Sequence, residues 1–92
     1  MTPPPDASLE ARLESLGVTL PEAPAPAANY VPFVIVGNLV FVSGQISAGP
    51  DGLILGKLGD DMDIPEGAAA AKTCAISLLA QVKSACSGDL SR

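Results

Sequence analysis

The apolar residues of the chain form two short runs that predict strands and one long stretch that predicts a helix. The runs Phe33–Val36 and Leu39–Val42 are apolar throughout and are separated by Gly37 and Asn38. Two β-rich runs joined by a two-residue loop that begins with glycine are typical of a hairpin with a type II′ turn. Because neither run alternates with polar residues, we expect both faces of the hairpin to be covered, one by helices and the other by a second sheet or subunit.

A long amphipathic helix is predicted from Pro65 to Cys86. Asp63 is expected to cap it, and Glu66, three residues later, completes the pattern of a capping box. The residues expected on its buried side follow helical spacing: Ala71, Cys74, Ala75, Leu78, Leu79, Val82 and Cys86. Four polar residues are expected on other sides: Lys72, Ser77, Gln81 and Lys83.

The region before the hairpin predicts a short helix and an extended linker. The helix has one apolar stripe, formed by Leu9, Leu13 and Leu16. Asp6 or Ser8 is expected to cap it, and Gly17 stands where a glycine commonly ends a helix. Three prolines in the segment 20–28 forbid helix and favour an extended linker. After the hairpin, a turn-rich loop at 48–52 precedes a weaker third strand predicted at 53–58.

Length, charge and residue usage exclude several classes of function. A chain of 92 residues has room for one small domain. It contains no histidine, which excludes Ser–His and Cys–His catalytic pairs and histidine metal ligands. The formal net charge of −5 argues against nucleic-acid binding, which needs clustered lysine and arginine. We expect neither a metal site nor a nucleic-acid partner.

The sequence has no segment typical of a membrane span or a secretory signal. The longest apolar stretches, 31–42 and 68–80, fall short of the roughly 20 residues that a span needs. The start of the chain lacks the positive charge and apolar run of a signal peptide. We therefore expect a cytoplasmic protein without a membrane partner.

Three residues at the ends of the hairpin are candidate ligand contacts. Ser43 and Gly44 follow a buried strand, where a serine hydroxyl and a backbone N–H can face a ligand; an ordinary turn that ends the strand is the alternative. Tyr30 stands between the linker and the first strand, where it either lines a pocket or anchors the linker.

Other charged residues give weaker signals. Asp60, Asp61 and Asp63 precede the long helix, and a solvated loop that ends in a helix cap explains them better than cation binding. The arginines of the chain are Arg12, on the short helix, and Arg92, the last residue. Neither is well placed to clamp a carboxylate.

The segment from Tyr30 to Ile46 resembles the first hairpin of the Rid family, also called the YjgF or L-PSP endoribonuclease family. The resemblance rests on the Gly37-Asn38 turn, on the apolar run that ends in Ser43-Gly44-Gln45, and on the long Ala- and Leu-rich helix that follows. The short helix and the Ala-Pro-Ala-Pro-Ala-Ala-Asn-Tyr approach resemble a branch of this family with a longer N-terminus. The resemblance spans residues 9–92.

The resemblance implies an α+β, chorismate-mutase-like fold, in which three subunits close their sheets into a barrel covered by helices. This chain would supply an incomplete part of it: a tail, short helix and linker at 1–28, then a three-stranded antiparallel part-sheet and one long packing helix at 29–92. Tyr30, Ser43 and Gly44 match pocket positions and are expected to bind substrate. The family's carboxylate-binding arginine and water-holding glutamate are expected beyond Arg92, so catalytic residues are unassigned and the chain alone is expected to be inactive.

Three functions follow from the resemblance. The first is hydrolysis of reactive 2-imino or 2-enamino acids to keto acids and ammonia, which needs no cofactor, by a protein that is a homotrimer when full length. The second is a non-catalytic member of the same fold that binds a small molecule or a protein. The third and weakest is an endoribonuclease or translation inhibitor, which the acidic charge, the few aromatic residues and the missing histidine disfavour.

Overall fold

The computed structural model describes residues 9–26 and 28–91. Its elements follow in the order α1 (Leu9–Ser15), β1 (Phe33–Val36), β2 (Leu39–Val42), β3 (Ala48–Gly49), β4 (Gly52–Leu53) and α2 (Ile64–Ala85). The predicted α+β class is confirmed. The predicted caps Asp6 and Ser8, and the terminal Arg92, lie outside the described residues.

The central element is the antiparallel hairpin of β1 and β2, as predicted. Its register pairs Val36 with Leu39 next to the turn and Phe33 with Val42 at the open end. The φ of Gly37 is +61°, and Asn38 is not among the residues with positive φ, which is the sign pattern of a type II′ turn. The pairing continues past the strands, because the Ser43 N–H donates to the Pro32 carbonyl at 3.0 Å.

The third strand predicted at 53–58 is wrong. Strands β3 and β4 instead form a separate two-stranded ladder, in which Ala48 pairs with Leu53 and Gly49 with Gly52. The turn-rich loop thus lies at the centre of a small hairpin and does not precede a longer strand. Within the described residues no further strand lies beside β1 or β2. The β3–β4 ladder ends with the bond from the Ile54 N–H to the Ser47 carbonyl, so residues 55–57 have no ladder to join.

Helix α2 begins as predicted. The side chain of Asp63 accepts the N–H of Glu66 at 2.9 Å, and the Glu66 carboxylate accepts the N–H of Asp63 at 3.2 Å, which completes the capping box. At the other end, Ser87 takes a φ of +58° and its N–H donates to the Ser84 carbonyl. A non-glycine residue therefore occupies the left-handed position at which helices usually place glycine.

The buried side of α2 differs from the predicted one. Ala80 and Gln81 are its buried residues, whereas Ala71, Ala75, Leu78 and Leu79 of the predicted side are exposed. The placement of Gln81 away from the buried side was wrong. The pattern correctly located an apolar stripe, but the described part of the chain packs against another side of the helix, which the stripe alone could not indicate.

Helix α1 is short and is fixed to the end of α2. It ends in a Schellman motif, in which the Gly17 N–H bonds the Glu14 carbonyl and the Val18 N–H bonds the Leu13 carbonyl. The Glu10 carboxylate accepts the backbone N–H of Leu90 at 3.0 Å, and Leu90 is buried. Of the helices in the described residues, neither combines the length and apolar character that a membrane span requires.

One face of the β1–β2 hairpin is open to solvent. Side chains alternate between the faces of a strand, so cross-strand partners share a face. The face formed by Val34, Val36, Leu39 and Phe41, here called the open face, is between 46% and 60% exposed. On the opposite face, Phe33 and Val42 are half-buried, whereas Ile35 and Val40 are exposed; α2 packs against both strands.

The dimensions of the chain agree with this open arrangement. Its radius of gyration is 15.1 Å, whereas a compact chain of this length has about 12 Å. Its accessible surface is 6869 Å², whereas a compact monomer of this mass exposes about 4900 Å². The described elements are therefore more open than a compact domain of the same length.

The isolated 92-residue chain is expected to associate through the open face. A contiguous apolar patch of this kind promotes aggregation and dye binding. Replacing Phe41 by Lys should reduce both self-association in sedimentation velocity and binding of the dye ANS. The variant Asp51→Asn, which changes the charge equally at an exposed turn, should leave both unchanged. Sharp, dispersed amide NMR signals from a monomer of the unmodified chain would contradict this expectation.

The two ends of α2 should respond to substitution in opposite directions. Asp63→Ala removes the cap and should lower the free energy of unfolding by about 1 kcal/mol. Ser87→Gly relieves the left-handed strain and should raise it by about 1 kcal/mol. The measurement is urea denaturation of the full-length protein, meaning the complete polypeptide in which this sequence lies. Asp63→Asn, which keeps a capping side chain, should stay close to wild type, and a loss of stability in Ser87→Gly would refute the assignment of strain.

Candidate functional site

The predicted ligand contacts meet where the segment before β1 passes the end of β2. The Tyr30 hydroxyl donates to the Gly44 carbonyl at 3.3 Å. The Ser43 hydroxyl lies 2.8 Å from the Val31 carbonyl and 2.9 Å from the Pro32 carbonyl. The hairpin register creates this junction, because the Pro32–Ser43 pair brings residues 30 and 44 to the same end of the ladder.

The Ser43 hydroxyl has a structural task in this junction. A hydroxyl carries one proton, so it can donate fully to only one of the two carbonyls at a time. Its lone pairs stay available as acceptors. Ser43 therefore fastens the entry of β1 to the exit of β2, and a ligand could use it only as an acceptor unless the hydroxyl turned away from the backbone.

A small cavity adjoins the Tyr30–Gly44 contact. Its volume is about 130 Å³, and its walls come from the proline-rich segment, the end of β2 and one helix residue: Pro24, Ala25, Pro26, Tyr30, Gly44, Gln45, Ile46, Ala48 and Ser77. The walls are mostly apolar, with a few hydroxyl, amide and backbone groups that can orient a ligand. This combination is typical of small-molecule sites.

The structure does not bring all three predicted residues into one cavity. Ser43 borders a different apolar hollow of about 220 Å³ on the hairpin, together with Val31, Phe33, Val34, Phe41 and Val42. Tyr30 and Gly44 border the smaller cavity, whereas Ser43, which directly precedes Gly44 in sequence, does not. Within the described residues, no arginine or lysine borders either cavity.

Two glutamines near the cavity were missed by the sequence reasoning. Gln45 borders the cavity, and its Nε2 donates to the Ser43 carbonyl at 3.0 Å. Gln81 is 1% exposed, and its Nε2 donates to the Pro24 carbonyl at 2.8 Å and lies 3.5 Å from the Gln45 Oε1. A signal existed in the sequence, since Thr73, Ser77 and Gln81 recur every four residues along the helix and so share one side.

The acidic residues before α2 form a loop that ends in a helix cap, as predicted. Asp63 caps the helix, and the Asp61 carboxylate accepts the Lys57 N–H at 2.6 Å. Asp60 lies in the turn between Lys57 and Asp61, where its N–H bonds the Lys57 carbonyl. The carboxylates of Asp61 and Asp63 thus bond the backbone of the loop and the start of the helix.

The chain matches one family model over almost its whole length. Residues 10–92 match the family described as "YjgF/chorismate mutase-like, putative endoribonuclease". A similar protein, Protein TCP17 of Trypanosoma cruzi, is 43% identical over 83 residues, which are 89% of this chain and 51% of that protein.

Two crystal structures are also similar to the chain. One is the protein Atu1372 of Agrobacterium tumefaciens, described as having unknown function. It is 48% identical with a TM-score of 0.73, and the match covers 89% of this chain and 50% of that one. The other, described as a "putative endoribonuclease" of Shewanella oneidensis MR-1, is 42% identical with a TM-score of 0.80, and the match covers 90% of this chain and 55% of that one.

The chain thus spans about half the length of these relatives. The hairpin, its glycine-asparagine turn and the capped helix that packs against it all lie inside the matched region. By sequence and by fold, this chain belongs to the YjgF/chorismate mutase-like family, and it has that family's fold over about half of the fold's extent.

Proposed function

We propose that the full-length protein is a Rid-type deaminase, which hydrolyses small 2-imino or 2-enamino acids to keto acids and ammonia. The observation that carries the proposal is the cavity of about 130 Å³ at which the Tyr30 hydroxyl meets the Gly44 carbonyl. In this proposal the cavity is the half of the ligand site that this chain supplies. Ser43 does not border the cavity; its hydroxyl bonds to the backbone before β1 fix the position of the neighbouring Gly44.

The reaction requires little from these side chains. Water adds to the C=N carbon, the nitrogen gains protons and leaves as ammonia, and a C=O group remains on the acid. The Tyr30 oxygen can accept a hydrogen bond from the substrate's N–H while its own O–H still donates to the Gly44 carbonyl. The apolar walls from Pro24, Pro26 and Ile46 limit bulk water around the reacting atoms.

The remaining groups would come from outside the described residues. A carboxylate needs a cationic partner, and none borders the cavity in residues 9–26 and 28–91. We propose that an arginine and a water-holding glutamate lie in the polypeptide after Arg92 or on a neighbouring subunit. On this view residues 29–92 are the first part of a longer domain, residues 1–28 precede it, and a homotrimer covers the open face.

A non-catalytic role in small-molecule binding is the second candidate. It is favoured by the same lack of a cation at the cavity and by the commitment of the Ser43 proton to backbone carbonyls. A ribonuclease role, which the description of the family names, has less support. The chain has a net charge of −5 and no histidine, whereas RNA binding favours basic surfaces with stacking aromatic residues.

The full-length protein should release ammonia from a freshly generated 2-imino acid. Tyr30→Phe removes one polar contact and should lower kcat/KM by about threefold to tenfold, the equivalent of one neutral hydrogen bond. A coupled ammonia assay measures this effect. Lys72→Gln, on an exposed position of α2, is the matched control and should leave the rate unchanged.

The same assay separates the two candidate functions. Binding of a keto acid without any acceleration of ammonia release would support the non-catalytic alternative and reject the deaminase. Ser43→Ala tests the structural role of that hydroxyl, and it should lower both the rate and the melting temperature, because the fastening of β1 to β2 is lost. A change in rate with an unaltered melting temperature would instead indicate direct contact with the ligand.

A further inference from the structure

One side of α2 carries a row of polar residues that holds the surroundings of the cavity. Thr73 Oγ1 accepts the Ala48 N–H at 3.2 Å, Ser77 borders the cavity, and Gln81 reaches the Pro24 carbonyl. These residues are four positions apart and lie one above the other along the helix. The helix therefore carries three polar side chains with separate contacts around the cavity, and of the three Ser77 is the one that borders it.

Gln81 holds the proline-rich segment 20–26, here called the strap. Prolines at positions 21, 24 and 26 remove N–H donors, so the strap cannot form a continuous backbone ladder with a neighbour. The bond from Gln81 Nε2 to the Pro24 carbonyl is the one hydrogen bond found between the strap and the rest of the described residues. The strap in turn supplies Pro24, Ala25 and Pro26 to the cavity wall.

The contact of Gln81 combines a favourable and an unfavourable part. A hydrogen bond to a neutral group is stabilising, whereas a buried polar atom without a partner is destabilising. Gln81 forms the bond with its Nε2, but its buried Oε1 has no donor among the described residues. Among the described residues, the hydrogen bonding of the strap to the rest of the protein therefore rests on this one side chain.

We propose that Gln81 is a positioning residue that fixes the strap as the outer wall of the cavity and so limits the size of the acid that the site accepts. Gln81 does not itself border the cavity; it acts through Pro24 and through its neighbour Gln45. The limit on size rests on the proposed function, since it requires that the cavity receive the ligand. The fixing of the strap can be measured without any ligand.

The decisive variant is Gln81→Met in the full-length protein, because methionine keeps the length of the side chain and loses the donor. NMR order parameters of the Ala23 and Ala25 amides report on the strap, and they should fall from about 0.8 to below about 0.6 in this variant. The control variant Lys72→Gln, on the same helix, should leave the order parameters of both amides unchanged. Unchanged order parameters in Gln81→Met would overturn the proposal.

Selectivity is measured with two probes of different size, pyruvate and 4-methyl-2-oxopentanoate. Gln81→Met should raise the affinity for the larger acid relative to the smaller by at least threefold. Ala25→Leu narrows the cavity from the strap side without altering Gln81, so it should shift the ratio the opposite way, and it serves as the test if Gln81→Met does not fold. Equal changes for both acids would reject the control of size. If the wild-type protein binds neither acid, the proposed function fails, and the order parameters still decide whether Gln81 fixes the strap.

Discussion

The structure depends on a short hairpin that is apolar on both faces and is only partly covered. Helix α2 packs against both strands and Phe33 and Val42 are half-buried, while Val34, Val36, Leu39 and Phe41 stay open. Full burial of one such side chain from full exposure contributes about 1.5–3 kcal/mol. These four are about half exposed, so covering them would add several kcal/mol, which is comparable to the stability of a small domain. We infer that polypeptide outside the described elements completes the core.

The candidate site follows from how this hairpin ends. Its ladder continues to the Pro32–Ser43 pair, which places Tyr30 beside Gly44, and the strap then closes the space between this junction and α2. Backbone pairing thus sets the positions of the pocket residues, and the polar row of α2 sets the position of the strap. The site depends on a few contacts between segments far apart in sequence, such as Gln81 with Pro24.

The sequence was informative where local chemistry decides the structure. The Gly37-Asn38 turn, the strands beside it and the Asp63–Glu66 capping box are specified by residues within a few positions of one another, and all were predicted. The third strand at 53–58 failed because a strand needs a partner, and the described chain offers one only at its start, where Leu53 pairs with Ala48 and Ile54 bonds Ser47.

Gln81 shows the other limit of sequence reasoning. An apolar stripe indicates that one side of a helix is suited to burial, but it does not indicate which segments of the chain pack against the helix or on which side. Here the strap and residue Ala48 form hydrogen bonds with the polar row of Thr73, Ser77 and Gln81, and the stripe that includes Leu78 and Leu79 stays exposed. The four-residue spacing of Thr73, Ser77 and Gln81 was the available signal, and it gains meaning only once the strap is known to cross the helix.

Amide hydrogen exchange tests most directly whether the hairpin is completed from outside these residues. In an antiparallel pair, alternate N–H groups point inward and outward, and the bond from Ser43 to Pro32 assigns Phe33, Ile35, Val40 and Val42 to the outward set. In the isolated chain the outward amides should exchange rapidly. In the full-length protein those of at least one strand should become strongly protected, since a neighbouring strand pairs with them. Rapid exchange of all four outward amides in the full-length protein would contradict the account.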